Sequence, residues 1–408
     1  MINEAPSRLT PERERKYSAA ACPCCGAGDL RLFYQALDMP VHNSLIVATK
    51  AEALEFPRGD VVLGSCRECG FITNVAFDAS KMAYTTAYED QQIFSATFSA
   101  FQSGLVEHLV ARFALHDKDV LEIGCGKGDF LALLCERGSN RGVGIDPTAI
   151  QERIVGPAAG RVRFIQDYYS ERYADCHADI ICCRHTLEHI EDTSEFLRTI
   201  RRSIGDRHET IVFFEVPDVL RVLREQAYWD IYYEHCSYFS PGSLARLFRA
   251  SGFDVMDLSL GFDDQYILLE AKPSTSASRE LVALEESAEQ MRQEVENFAN
   301  IVSGRLRQWK CHLHEASAQG KRIVVWGSGS KAVAFLTTVG VADEVEYVVD
   351  INPHRHGKFI LGAGKEVVPP VFLQRYQPDE VIVMNPIYVP EIKSMLATMG
   401  VATKVVTV

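Results

Sequence analysis

The sequence predicts an α/β protein in three parts: a small β-rich metal module, a doubly wound parallel sheet, and a second, Rossmann-like α/β domain. Three observations predict it. Two Cys-x-x-Cys-Gly pairs stand near the start, Cys22-Pro23-Cys24-Cys25-Gly26 and Cys66-Arg67-Glu68-Cys69-Gly70. Continuous apolar strands alternate with helical segments from Phe94 to about Lys272, the pattern of a parallel sheet covered on both faces. The same alternation resumes at Arg322, after a long helical stretch. With 408 residues, 47% of them hydrophobic, the chain can bury two or three cores. The expected bounds are 1–90, 91–272, 273–320 for a linker and long helix, and 321–408.

The cysteine pairs come first. Four thiolates in two spaced pairs suit a closed tetrahedral zinc site, because each knuckle turn presents two sulfurs to one ion. Cys22, Cys25, Cys66 and Cys69 are the expected ligands, and Cys24 is the odd thiol. Such a site has no open position, so the zinc is expected to hold the fold and do no chemistry. About 40 residues separate the pairs, so a hairpin or two must fold back between them. A disulfide framework fits less well, since the other eight cysteines scatter through apparent core strands and nothing suggests export. Met1 to Arg15 is charged and polar with no apolar signal core, and no apolar run approaches ~18 residues. The expectation is a cytoplasmic protein without a membrane span. A net charge of −13, with no basic stripe, gives no electrostatic case for nucleic acid.

The middle block opens with Glu122-Ile123-Gly124-Cys125-Gly126-Lys127-Gly128, between an apolar strand and a helix. Glycines there let the backbone approach a ligand. Asp146 ends the next strand, placed to hydrogen-bond a ribose diol. The spacing departs from Gly-x-Gly-x-x-Gly, and Glu122 would repel a pyrophosphate. A carboxylate there can instead meet the ammonium of an amino acid, which favours S-adenosylmethionine over a dinucleotide. The stretch resembles the class I methyltransferases, whose first motif is acidic-x-Gly-x-Gly-x-Gly. That resemblance implies that Glu122, Gly124, Gly126 and Asp146 bind the cofactor, with Gln166 and Asp167 beside the adenine.

Three polar segments follow: Arg184-His185-Thr186-Leu187-Glu188-His189-Ile190, Glu215-Val216-Pro217-Asp218, and Tyr232-Tyr233-Glu234-His235-Cys236-Ser237-Tyr238-Phe239-Ser240. Ligands of doubly wound sheets sit off the carboxyl ends of the strands, so the first two segments should face the cofactor. Lys272 to Ser278 reads as a linker by composition, and Arg279 to about Gln319 as one or two long helices. In the last block, Gly327-Ser328-Gly329-Ser330-Lys331-Ala332 satisfies Gly-x-Gly-x-x-Ala after an apolar strand, and Asp350 ends the next strand. Alone, that is a fingerprint for NAD. The amides of Ser328, Gly329 and Ser330 at a helix start, with Lys331, would equally suit a diphosphate. Asn385 and Tyr388 lie at the same sheet edge, within reach of a base or ribose.

Over its whole length the chain resembles the sugar C-methyltransferases, which methylate C3 of 4-keto deoxysugars carried on a nucleoside diphosphate. The resemblance rests on the cysteine knuckles, the glycine loop, the Glu-His-x-x-Tyr-Phe-Ser segment and the final α/β block. It implies a base that removes the C3 proton and donors that hold the enolate oxygen. A histidine serves as such a base without a large pKa shift. His235, beside Glu234, is the favoured base and His189 the other candidate, with His189 and Tyr232 helping to hold the keto oxygen when His235 is the base. Tyr84 or Tyr88 lies where the family places a tyrosine over the sugar. The implied partner is a nucleoside-diphosphate sugar. Other readings stay open: a small-molecule O- or N-methyltransferase, an NAD-dependent oxidoreductase using Gly327, Gly329 and Asp350, or a sugar-nucleotide-binding protein without catalysis. Nucleobase, C3 stereochemistry and oligomeric state are not set by the sequence.

Overall fold

The computed structural model describes residues 9–275 and 281–408. The linker expected at 272–278 therefore lies partly outside the described residues, as does the start of the polar segment 1–15. The first stretch carries strands β1 (Arg31–Pro40), β2 (Ile46–Val47), β3 (Arg58–Ser65) and β4 (Ile72–Asn74). The middle carries β5 (Asp119–Ile123), β6 (Arg141–Ile145), β7 (Val162–Ile165), β8 (Ile180–Arg184), β9 (Ile211–Pro217), β10 (Ser237–Tyr238), β11 (Phe253–Gly261) and β12 (Tyr266–Pro273). The last stretch carries β13 (Ile323–Trp326), β14 (Tyr347–Val349), β15 (Phe359–Ile360), β16 (Glu366–Val368), β17 (Glu380–Val383) and β18 (Lys404–Thr407).

The middle sheet has the order β11-β12-β9-β8-β5-β6-β7. Its five strands from β9 to β7 run parallel, as the continuous apolar runs predict. Every residue of β8 is buried, which suits a strand with neighbours on both sides. The antiparallel hairpin β11–β12 closes the other edge and was not foreseen. Its cause is local: Phe262, Asp263 and Asp264 adopt positive φ in a turn far too short for a parallel crossover.

The last sheet has the order β18-β17-β13-β14-β16-β15-β2, parallel from β18 to β16. Its final strand belongs to the N-terminal stretch, where β2 pairs with β15 through Ile46 and Val47. A reverse exchange occurs in the first sheet, β1-β3-β4-β10, whose edge strand β10 comes from the middle block. Both exchanges cover sheet edges that would otherwise expose unpaired backbone groups. Expected bounds at residues 90 and 272 divide the sequence, but the sheets share strands across them.

A 31-residue helix, Ala288–Ala318, follows the linker. Ser287 and Gln290 form a capping box at its start. Met291, Val295, Phe298, Val302, Trp309 and Leu313 are its buried stripe, at helical spacing. Phe298 packs edge-on against Phe33 of β1, and Trp309 against Phe335 of the helix Ser330–Val339. The helix thus fastens the first sheet to the last domain. Burial of a side chain like Phe298 contributes roughly 2–3 kcal/mol.

Candidate active site

The middle sheet, the last domain and the segment 84–95 enclose one cavity of about 570 Å³. The glycine loop forms its floor. Gly124, Gly126 and Gly128 all have positive φ. At Gly124 a Cβ would also stand 1.9 Å from Thr186 Oγ1, so the loop after β8 leaves room for glycine alone. Asp146 holds the loop: Oδ2 accepts from Gly126 N at 2.8 Å and Oδ1 from Thr148 N at 2.6 Å. Glu122 lines the cavity with Oε2 unpartnered. Burial pushes its carboxyl up to about 8, against the pull of Arg184. Asp90, which the sequence reading missed, faces the same loop, and burial and Asp146 push its carboxyl up to about 6.

Gln166 is placed differently from the expectation. It is exposed, its Nε2 donates to Ala149 O at 2.7 Å, and it does not line the cavity. Asp167 does line it, with its carboxylate taken up by Tyr168 N, Tyr173 and Arg172. Both lie past the end of β7, where Asp167 N donates to Ile165 O at 2.9 Å in a bend, and only Asp167 reaches the cavity.

Beyond the carboxyl ends of β8 and β9 lies a buried charge network. Arg184 makes a two-pronged bond to Glu215, at 2.8 and 3.2 Å, and stacks on Phe130. His185 Nε2 lies 2.8 Å from Glu215, and its Nδ1 lies 3.5 Å from Glu188. Burial works against charge on His185, but Glu215 and Glu188 outweigh it and push the pKa up to about 9. Glu215 stays at about 2 although burial opposes its charge, because Arg184 and His185 face it.

Tyr84, His189, Tyr232 and His235 meet on the opposite wall. Tyr84 Oη lies 2.8 Å from His189 Nδ1. The same Nδ1 lies 3.1 Å from the carbonyl oxygen of Glu234, which can only accept. This pair selects the Nδ1–H tautomer and leaves the lone pair on Nε2. The His235 ring packs 4.2 Å from Tyr232 and 4.9 Å from His189, at 87° to the latter. Burial, then His189, His185 and Lys331, hold its pKa well below the ordinary value, so it is neutral at pH 7 and able to take a proton.

Glu234 does not support His235, as their adjacency suggested. The two residues end a turn closed by His235 N donating to Tyr232 O at 3.2 Å, and their side chains take different partners. Its carboxylate lies 2.7 Å from His42 Nδ1 and accepts from Asn43 N and Tyr88 Oη, each at 2.9 Å. His42 Nε2 in turn accepts from Ala83 N at 3.2 Å. Glu234 thus pins Tyr88 and His42 behind Tyr84, whose ring meets both edge-on. His42 carried no motif; its signal was the polar run His42-Asn43-Ser44 directly after an apolar strand.

On the last domain's side, Gly329, Ser330 and Lys331 reach the cavity, at the start of a helix with no side-chain cap. Ser330 Oγ lies 3.1 Å from Ser44 Oγ. Lys331 pairs with Asp230, which Arg221 also contacts at 3.2 Å. Ser328 faces inward instead: its Oγ donates to Asp350 at 2.5 Å and accepts from buried Arg355 at 2.6 Å. Asn385 is spent on a reciprocal amide pair with Gln265 of the middle block, at 3.1 and 2.8 Å. Tyr388 lines the cavity and donates to Gln92 at 3.1 Å.

The thiols of Cys22, Cys25, Cys66 and Cys69 come together away from this cavity, each sulfur within 4.8 Å of the others. Four sulfurs so placed form a donor set that fits tetrahedral zinc.

Residues 98–258 match the family model described as a methyltransferase domain, and residues 267–407 match the model of the C-methyltransferase C-terminal domain. The C-methyltransferase NovU of Streptomyces niveus is 28% identical over 305 residues, which is 71% of each chain. Among solved structures, CalO1, a methyltransferase in calicheamicin biosynthesis in its SAH-bound form, matches at 17% identity and a TM-score of 0.33. That match covers 43% of this chain, which spans 56%, little more than half, of CalO1. Magnesium protoporphyrin IX methyltransferase of Synechocystis PCC 6803, with bound SAH, matches at 19% identity and a TM-score of 0.34, over 46% of this chain and 91% of its own.

Proposed function

This chain is an S-adenosylmethionine-dependent C-methyltransferase, and we propose that it methylates C3 of a nucleoside-diphospho-4-keto-6-deoxysugar through an enolate. The observation that carries the proposal is the meeting of two imidazoles and two phenols, His189, His235, Tyr84 and Tyr232, on one wall of the cofactor cavity. A heteroatom acceptor needs at most one base. A carbon acceptor needs a base and also donors for the oxygen that becomes charged.

In this reading His235 takes the C3 proton, and the C3–H electrons move into a C3–C4 double bond with negative charge on the C4 oxygen. Tyr84 and Tyr232 donate to that oxygen, and His189, held through Nδ1, fixes Tyr84. The enolate carbon then attacks the sulfonium methyl. The carbon–sulfur bond breaks, its electrons stay on sulfur, and S-adenosylhomocysteine leaves. Glu122 meets the cofactor's ammonium and Asp146 its ribose. The open helix start at Gly329, Ser330 and Lys331, with Arg221 beside Asp230, supplies the diphosphate site. NAD chemistry is set aside, because the stretch carrying Gly327 and Asp350 matches a C-methyltransferase domain. Zinc on the four cysteines holds the first sheet's knuckles together. The setting is cytoplasmic; among the described residues no helix is long and apolar enough to cross a membrane.

The test is C3 proton exchange in heavy water without methyl donor. A 4-keto-6-deoxy nucleotide sugar should gain deuterium at C3 with the wild type, and far more slowly with His235→Asn. Exchange surviving in that variant but lost in His189→Asn would move the base to His189. Absence of exchange with every ketosugar, alongside methylation of a hydroxyl or amine, would sink the enolate reading.

A further inference from the structure

A buried base that accepts a proton becomes a buried cation, and Glu234 is not available to face it. The side chain that is available is Glu188. It is 2% exposed and its Oε2 has no hydrogen-bond partner. A buried carboxylate oxygen left unpaired is costly, so such an atom in an active site points to a partner that arrives during the reaction. Glu188 lines the cavity, and its ligand atom lies within 4.8 Å of those of both His189 and His235. The backbone fixes this arrangement. Cys236 N donates to Glu188 O at 3.0 Å, which ties the turn after β8 to the residue following His235.

We infer that Glu188 is the positioning carboxylate for His235: it faces, and holds, the imidazolium formed when the C3 proton is taken. This rests on the proposed enolate reading. In the resting protein, burial and the positive groups around His235 keep it neutral. On proton transfer the imidazolium N–H pairs with Glu188 Oε2, while the negative charge left on the C4 oxygen is held by Tyr84 and Tyr232. No other atoms move, and the proton passes to water after product release. Groups facing His235 are His185, Glu188 and His189 from the loop after β8, Lys331 from the last domain, and Tyr232 and Tyr238 from its own segment. Of the other carboxylates on this side of the cavity, Glu215 and Glu234 are already fully bonded and Asp230 is taken by Lys331 and Arg221, whereas Glu188 keeps a free buried oxygen.

Glu188→Gln keeps the shape and removes the charge. Its kcat should fall about 100-fold, the usual size of a general-base contribution, while KM for both substrates stays within about twofold. Donor-free C3 exchange should slow in parallel. Losing a negative neighbour lowers the His235 pKa further, so the acidic limb of kcat against pH should move to lower pH. Glu188→Asp, which restores the charge one methylene farther away, should recover part of the rate and of the limb; it also serves if the Gln variant does not fold. An unchanged limb and exchange rate in either variant overturns the assignment. So does a loss confined to KM. The same three side chains could instead hold a divalent ion: if chelator-treated protein that keeps its zinc loses all exchange, and Mn²⁺ restores it, Glu188 is a metal ligand and the assignment fails. A wild type that exchanges no ketosugar proton fails the enolate reading itself, a result distinct from all of these.

Discussion

Glu122 has a carboxyl that ionises only near pH 8, because burial disfavours its charge. A cationic ammonium beside it favours the carboxylate, so binding an aminoacyl ligand expels a proton. Below about 8 the bound state must pay for that ionisation, and affinity should therefore rise with pH and level off above it. Calorimetry with S-adenosylhomocysteine should give several-fold weaker binding at pH 6.5 than at pH 8.5, and Glu122→Gln should bind weakly with no such trend. The two tyrosines of the 84–88 segment separate by partner. Tyr84→Phe removes the hydroxyl that meets His189 and should cost activity with little change in melting temperature. Tyr88→Phe strands a buried oxygen of Glu234 and should cost about 1–3 kcal/mol in denaturant melts. Motif residues were legible at this scale because chemistry fixes their type: cysteine for metal, glycine for close approach, histidine for proton transfer. His42 and Glu188 were not, since their roles depend on which way a neighbour's side chain points. Glu234 was misjudged for the same reason.

The elements were legible wherever one period dominated. The apolar strands of the middle sheet, and the 288–318 helix with its stripe from Met291 to Leu313, follow directly from pattern. The two-residue strands β2 and β10 carry no pattern of their own; they form because a partner edge is offered by a distant part of the chain. The cysteine knuckles are elements of a third kind, held by what they bind. Each is a turn closed by a backbone bond, Gly26 N to Cys22 O and Gly70 N to Cys66 O. Metal analysis should find one zinc per chain, and Cys66→Ser should lose it and lower the melting temperature. Full stability in metal-free protein would contradict the zinc assignment.

For the whole molecule, the exchanged strands and the long helix make one body of what reads in sequence as separate blocks. The cavity is built by that union: Ser44 meets Ser330, Glu89 meets Asn352, and Gln265 meets Asn385, each pair joining residues far apart in the chain. Sequence order could place the glycine loops but not this closure, which is why Ser328 reads as a ligand contact and instead bonds Asp350 and Arg355, while Asn385 lines the cavity with its amide paired to Gln265. A shared cavity is what the proposed C3 methylation requires, since the donor and the base must both reach one carbon. The most direct measurement is the product formed from S-adenosylmethionine and a panel of 4-keto-6-deoxy nucleotide sugars, followed by mass and by NMR at C3. The account predicts one added methyl on C3, with the C3 proton lost, for at least one member. A methyl found on oxygen or nitrogen, or no transfer to any ketosugar by protein that binds the donor, would contradict it.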